Sequence, residues 1–191
     1  MPQPQLIALI GPPCSGKGTL ARRLKDHVGA QHVETGALLR EEAERNPDLA
    51  RQLEAGEIIG DEGLERLLGQ HLQEAWDNGR NVILDGTPRR VSQLHLLMSG
   101  PYGQAGRLRV LALDVPPDVV RARALSRGEG RADDTEEGIE RRLDVYQNET
   151  QPVLTDPGLR QMPFSLLSGL LSPEELYALA VQTLKVWGDG T

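Results

Sequence analysis

The chain has 191 residues, 38% of them hydrophobic but only 3% aromatic, and carries a formal net charge of −7. That length holds one ordinary α/β domain with a core large enough to stand without staples. The acidic balance argues against a general binder of nucleic acid, the scarcity of aromatics against a base-stacking platform, and the single cysteine against an intramolecular disulfide or a cysteine-based zinc cluster. No apolar run approaches the length of a membrane span and no basic-then-apolar leader is present, so the expectation is a cytoplasmic protein without membrane association.

Taken in chain order, Leu6–Ile10 is a short apolar run that stops at Gly11, which predicts a strand buried on both faces. A Gly- and Pro-rich loop follows to Gly18. Leu20, Leu24 and Val28 then recur at helical spacing and give one apolar face that ends before Gly29. A strand, a glycine loop and a helix in that order open a βαβ unit. Residues 35–77 read as wholly helical, including a helix over 62–76. Asn81–Asp85 is a second buried strand, followed by a helix over about 90–98. Leu108–Asp114 is a third strand, followed by a helix over 117–126 and the short glycine-rich loop Arg127-Gly128-Glu129-Gly130-Arg131. Residues 135–150 read as another helix, with Ile139, Leu143 and Tyr146 on one face. Phe164–Leu167 is a late strand. Ser172 is a helix N-cap, with Pro173 at the first position and Glu174 and Glu175 in the first turn, so a last helix runs to about Trp187. Alternating strands and helices predict a parallel sheet covered on both faces, in one domain over 1–191. The helical excursion and the loop at 127–131 are candidates for elements that move over a site.

Gly11-Pro12-Pro13-Cys14-Ser15-Gly16-Lys17-Gly18-Thr19 is the first candidate site. Glycines let successive backbone N–H groups turn inward around phosphate oxygens, and the helix beginning near Gly16 adds the positive end of its dipole. Lys17 can reach the outer phosphates as a point charge, with Gly18 or Thr19 donating beside it. A chance Gly/Pro turn holding a lysine would not need a strand before it and a helix after it. Lys17 is also one of only three lysines against eighteen arginines, so a compact ammonium is kept here where arginine is the common cation. Cys14 lies near the helix N-terminus, where a thiol pKa can fall and oxidation would obstruct the phosphates. The simpler reading is a small residue that the loop tolerates.

The form Gly-x-Pro-x-x-Gly-Lys-Gly-Thr resembles the nucleoside monophosphate kinases, adenylate kinase in particular. His32-Val33-Glu34-Thr35-Gly36-Ala37-Leu38-Leu39-Arg40, Gly56-Glu57-Ile58-Ile59-Gly60-Asp61-Glu62 and Leu84-Asp85-Gly86-Thr87-Pro88-Arg89-Arg90 with Gln93 are similar to further segments of that family, in the same order. Arg123, Arg127, Arg131, the pair Asp133-Asp134 and Arg142 fall at the spacing of its lid arginines. The resemblance implies a P-loop kinase fold: a central five-stranded parallel sheet flanked by helices, a helical monophosphate-binding insertion at about 35–77 and a short lid at about 127–134. It implies that Cys14, Ser15, Gly16, Lys17, Gly18, Thr19, Arg123 and Arg127 bind ATP. Thr35, Gly36, Arg40, Glu57, Ile58, Ile59, Gly86, Arg89 and Gln93 would hold AMP, with Arg131 and Arg142 bridging both nucleotides. Lys17, Arg89, Arg123, Arg131 and Arg142 would be catalytic. Clustered arginines suit that chemistry, because transfer between phosphates gathers several negative charges in one place. Arg121 and Arg141 read instead as partners of Glu136, Glu137 and Glu140 on a solvated face.

The implied reaction is Mg2+-dependent transfer of the ATP γ-phosphoryl to AMP, giving two ADP, in a monomer. Asp85 at its strand's end would hold the ion through water, with no direct protein ligand assigned. Gln93 favours AMP, since its amide can both donate to and accept from an adenine edge. A kinase for CMP or UMP, a kinase acting on a metabolite hydroxyl, and a weakly active nucleotide-binding protein of the same build are the alternatives. Only three residues separate Arg127 from Arg131, too few for a zinc-bearing lid, so no structural zinc is expected. The chain departs from the family at Ala37, where Asp is usual, at Thr87 for Phe, at Arg90 for Thr and at Gly60. Leu171 stands where a glycine usually approaches the ATP base, with Gly169 close by.

Overall fold

The computed structural model describes residues 4–55, 57–127 and 135–188. In chain order its elements are β1 (Leu6–Ile10), α1 (Lys17–His27), β2 (Ala30–Glu34), α2 (Thr35–Ala43), α3 (Pro47–Glu54), α4 (Asp61–Asp77), β3 (Asn81–Asp85), α5 (Val91–Ser99), α6 (Pro101–Gln104), β4 (Leu108–Asp114), α7 (Pro117–Arg127), α8 (Glu136–Val145), β5 (Phe164–Ser168) and α9 (Pro173–Gly188). The strands form one five-stranded sheet in the order β2-β3-β1-β4-β5, every pairing parallel. Among the described residues no helix is long and apolar enough to cross a membrane.

The continuous apolar runs of β1, β3 and β4 are explained by cover on both faces. Leu6, Ala8 and Ile10 point to one side with Val82, Leu84 and Val110, against Leu64, Leu68 and Leu72 of α4 and Leu94 and Leu97 of α5. Ile7 and Leu9 point to the other with Ile83, Leu111 and Leu113, against Leu20 and Leu24 of α1 and Leu176 and Ala180 of α9. A third cluster joins Val115, Val120 and Ala124 to Ile139 and Leu143, so α7 and α8 pack on each other. At about 25 cal/mol per Å² of apolar surface, the two faces of the sheet supply most of the drive to fold.

Three expectations need correction. β2 is absent from the strands that the apolar runs predict, because Ala-Gln-His-Val-Glu has no such run; it lies at the sheet's edge and buries only Val33. The stretch 35–77 is not wholly helical. Asn46 caps α3 by accepting from the Leu49 N–H at 3.2 Å, Pro47 follows at its first position, and 57–60 is irregular. The helix expected over 135–150 is α-helical only to Val145 and then widens into a π turn over Tyr146–Thr150. Pro152 has no N–H to continue the ladder, and two tight 3-10 turns carry the chain on to β5. The last helix starts as read: Ser172 Oγ accepts from the Glu175 N–H at 3.2 Å, while Glu175 takes the Ser172 N–H at 2.9 Å.

Gly69 lies in the middle of α4 with no atom within 4 Å of the place a Cβ would take. Gly69→Ala should therefore stabilise the fold by about 0.5–1 kcal/mol, read as a higher denaturant midpoint at unchanged slope.

Candidate active site

The loops leaving the carboxyl ends of β1 and β3 face each other across the sheet, since the two strands are direct neighbours with Leu9 opposite Asp85. An open parallel sheet places its crevice at this edge. After β1 the chain turns through Gly16, the N-cap of α1, at φ 96°, a conformation that costs glycine little and an L side chain more. Cys14 enters the left-handed region too, at φ 54°, and its side chain packs against the cluster of α7 and α8. Lys17 Nζ donates to the carbonyls of Gly11 and Pro12, both at 2.8 Å, and contacts Ser15 Oγ at 3.2 Å. Ser15 is buried. The loop is thus wrapped around its own ammonium.

After β3 the chain turns through Gly86 at φ 92° and the cis peptide Thr87–Pro88. Asp85 is buried, and one of its carboxylate oxygens lies 3.3 Å from where a Cβ on Gly18 would stand. A larger residue at position 18 would push between the carboxylate and the helix start. Arg89 Nε donates to the Gly86 carbonyl at 3.0 Å, and its backbone N–H donates to Gln93 Oε1 at 2.8 Å. Gln93 is buried, and its Nε2 reaches the Ile59 carbonyl at 3.4 Å. The amide therefore ties the β3–α5 loop to the segment before α4. Thr35 and Thr87, both buried, share a hydrogen bond of 3.0 Å between their hydroxyls.

Arginines define the electrostatics. Arg89 is exposed by its surface area, yet its guanidinium lies near those of Arg40 and Arg142, and partial loss of hydration holds its pKa below the ordinary value. Asp85 opposes that shift, while Arg142 and Arg40 reinforce it. Arginine stays protonated regardless. The effect signals crowding of positive charge: guanidinium groups from α2, the β3–α5 loop and α8 share one field, with Asp85 as the carboxylate that acts on Arg89. Arg40 Nη2 donates to Glu34 Oε1 at 3.0 Å.

On the other side of the loop, Arg123 of α7 donates to the Gly169 carbonyl at 2.8 Å. A Cβ on Gly169 would stand 2.4 Å from Val115 and 3.3 Å from the Ser15 carbonyl, so the turn after β5 packs against the glycine loop too closely for a side chain at this position. Arg121 binds Glu140 with two hydrogen bonds, at 2.5 and 2.8 Å, on a solvated face as read from the sequence.

Of the expected site residues, the structure brings the loop from Cys14 to Thr19 together with Asp85, Gly86, Arg89 and Gln93, and sets Thr35, Arg40, Ile59 and Arg142 around them. Gly36 lies in the first turn of α2, its Cβ position 3.2 Å from the Arg40 guanidinium. Glu57 and Ile58 precede α4, with Ile58 buried. Arg131, Gly128, Glu129, Gly130, the pair Asp133–Asp134 and Gly56 lie outside the described residues, as does the Arg127 side chain. Two residues given no role in the sequence reading stand beside the site. His32 Nε2 is buried 3.7 Å from Asp85 Oδ2, and Glu34 holds Arg40. Their signal was the strand itself: on β2 they alternate with the buried Val33, and Glu34 pairs in register with Asp85.

A family model described as adenylate kinase matches residues 9–156. Adenylate kinase 1 of a Nostoc species is 38% identical over 176 residues, covering 89% of this chain and 93% of that protein. Adenylate kinase of Stenotrophomonas maltophilia is 38% identical over 156 residues, covering 78% and 82%. Adenylate kinase of Thermus thermophilus is 34% identical over 182 residues, covering 91% and 94%.

Proposed function

The chain belongs to the adenylate kinase family, and from that premise we propose how its own residues carry the family's reaction. The reaction is reversible transfer of the ATP γ-phosphoryl to AMP, giving two ADP. The observation that carries the assignment of residues is the shared field of Arg40, Arg89 and Arg142 beside Asp85 and the glycine loop.

ATP takes the loop from Cys14 to Thr19. Inward N–H groups and the start of α1 hold its phosphates, with Lys17 at the outer ones. Arg123 and Arg127 complete the donor side. AMP takes the opposite wall, its phosphate on Arg40 and Arg89 and its base among Thr35, Gly36, Gly86, Gln93 and the segment Glu57–Ile59. Gln93 spends one acceptor and one donor position on Arg89 and Ile59, which leaves a lone pair and an N–H for an adenine edge. Arg131 and Arg142 bridge the two nucleotides. The attacking oxygen of AMP is already anionic, so no general base is required, and positioning with charge neutralisation supplies the acceleration. The helical excursion over 35–77 and the lid at about 127–134 close over the site to exclude water, the competing acceptor, within one domain spanning 1–191.

For the Mg2+ that accompanies ATP, the donor set fits. Asp85 offers a hard oxygen facing the loop, and among the described residues no group of three or more His, Cys, Asp or Glu could cage a metal. A magnesium ion that keeps most of its water needs no such cage. Asp85 would hold it through water, and when bound it supplies charge neutralisation along the phosphates. The acidic, aromatic-poor composition supports an enzyme without nucleic-acid partners, and the reading is of a cytoplasmic monomer without membrane association.

The test is ADP formation from ATP and Mg2+ with AMP, CMP, UMP and GMP in parallel. AMP should be preferred by at least about tenfold in kcat/KM, the size of one well-made polar recognition contact. A preference for a pyrimidine monophosphate would overturn the role of Gln93 and the AMP assignment.

A further inference from the structure

Glu34 is the last residue of β2 and stands at the N-cap of α2, where a carboxylate ordinarily accepts from the helix's first N–H groups. It makes no such cap here. Its side chain reaches instead to Arg40, on the same helix, with Oε1 3.0 Å from Nη2. The first turn of α2 is thereby left uncovered beside the Arg40 guanidinium. Arg40 in turn shares its field with Arg89.

We infer that Glu34 is an internal competitor of the acceptor's phosphate: it occupies Arg40 in the empty enzyme and must yield it when AMP binds. The inference rests on the reading above that Arg40 receives that phosphate. Geometry and charge both support it. Glu34 is the one carboxylate hydrogen-bonded to this arginine among the described contacts, so its negative charge holds the same guanidinium that the dianion is to take. The pair is weak enough to exchange, because the Arg40 side chain is 52% exposed and that of Glu34 37% exposed. A phosphate offers three strong acceptor oxygens and so makes the better partner for a guanidinium. Glu34 thus raises the acceptor concentration the enzyme needs without touching the reacting atoms.

Glu34→Gln retains size and removes the charge at a half-exposed site, so folding is not at stake. The KM for AMP should fall by about two- to fivefold, the range of an exposed ion pair, with kcat within about twofold. The Kd for AMP by calorimetry should fall in parallel. Arg40→Ala, measured alongside, should raise the AMP KM, and Glu34→Gln added to it should bring no further gain. If Arg40→Ala raises the KM while Glu34→Gln leaves it unchanged or raises it, Glu34 merely orients Arg40 and this inference falls alone. If Arg40→Ala leaves the KM unchanged, the phosphate assignment of Arg40 falls and takes the inference with it. A gain from Glu34→Gln that persists without Arg40 also overturns it, since the competition would not be for that guanidinium.

Discussion

Lys17→Met should lower kcat by about 10²–10³, the usual effect of removing one preorganised donor from developing transition-state charge. The side chain has two tasks, and they are separable by measurement. In the structure its ammonium ties together the carbonyls of Gly11 and Pro12 and the hydroxyl of Ser15. Hydrogen bonds to a charged group contribute about 1.5–3 kcal/mol each, but water can reach the half-buried loop and replace part of what is lost. During transfer the same ammonium exchanges carbonyls for phosphate oxygens carrying far more charge. Lys17→Met should therefore bind ATP within about tenfold of the parent by calorimetry while losing turnover, a loss of transition-state stabilisation rather than of uniform binding. Lys17→Arg should not restore it, because a planar fork cannot sit where three oxygens converge on one point charge. Turnover of Lys17→Met within a few-fold of the parent would remove Lys17 from the chemistry.

How much of this arrangement was legible in the sequence depends on where each residue spends its side chain. β1, β3 and β4 were readable because burial on both faces forces unbroken apolar runs. β2 was not, because an edge strand with one buried residue looks like any polar segment. Its loss from the reading hid His32 and Glu34, whose places beside Asp85 and Arg40 follow only from strand pairing. The glycine loop was visible because backbone geometry demands its residue types locally. Gln93 was visible as a motif residue, but its bonds to Arg89 and Ile59 are contacts between segments that no local pattern encodes. The π turn at 146–150 belongs to the same class. Arg90, bound to Glu149 at 2.9 Å, ties that turn to the loop after β3 across 59 residues of chain. Arg90 is one of the departures from the family pattern, and this contact gives it a structural use.

Arg89→Ala should reduce kcat/KM for AMP by about 10²–10³, comparable with loss of a charged donor pair at a reacting phosphate, and should do so without lowering the melting temperature. The second half of that expectation follows from geometry. Arg89 is an exposed residue whose guanidinium makes one hydrogen bond among the described residues, Nε to the Gly86 carbonyl. Alanine therefore removes little that holds the fold together, while it takes away a cation beside Arg40 and Arg142. The bond to Gly86 engages Nε and leaves the two Nη groups for the acceptor, which is why Arg89→Lys should recover only part of the activity: it returns the charge but not the fork. The same reasoning predicts ligand linkage. A bound anion relieves the crowding of Arg40, Arg89 and Arg142, so AMP should raise the melting temperature of the parent more than that of Arg89→Ala at equal concentration. A variant that melts several degrees lower and is inactive only for that reason would show Arg89 to be a structural residue. A variant as stable as the parent and as active would show that the acceptor's phosphate lies elsewhere.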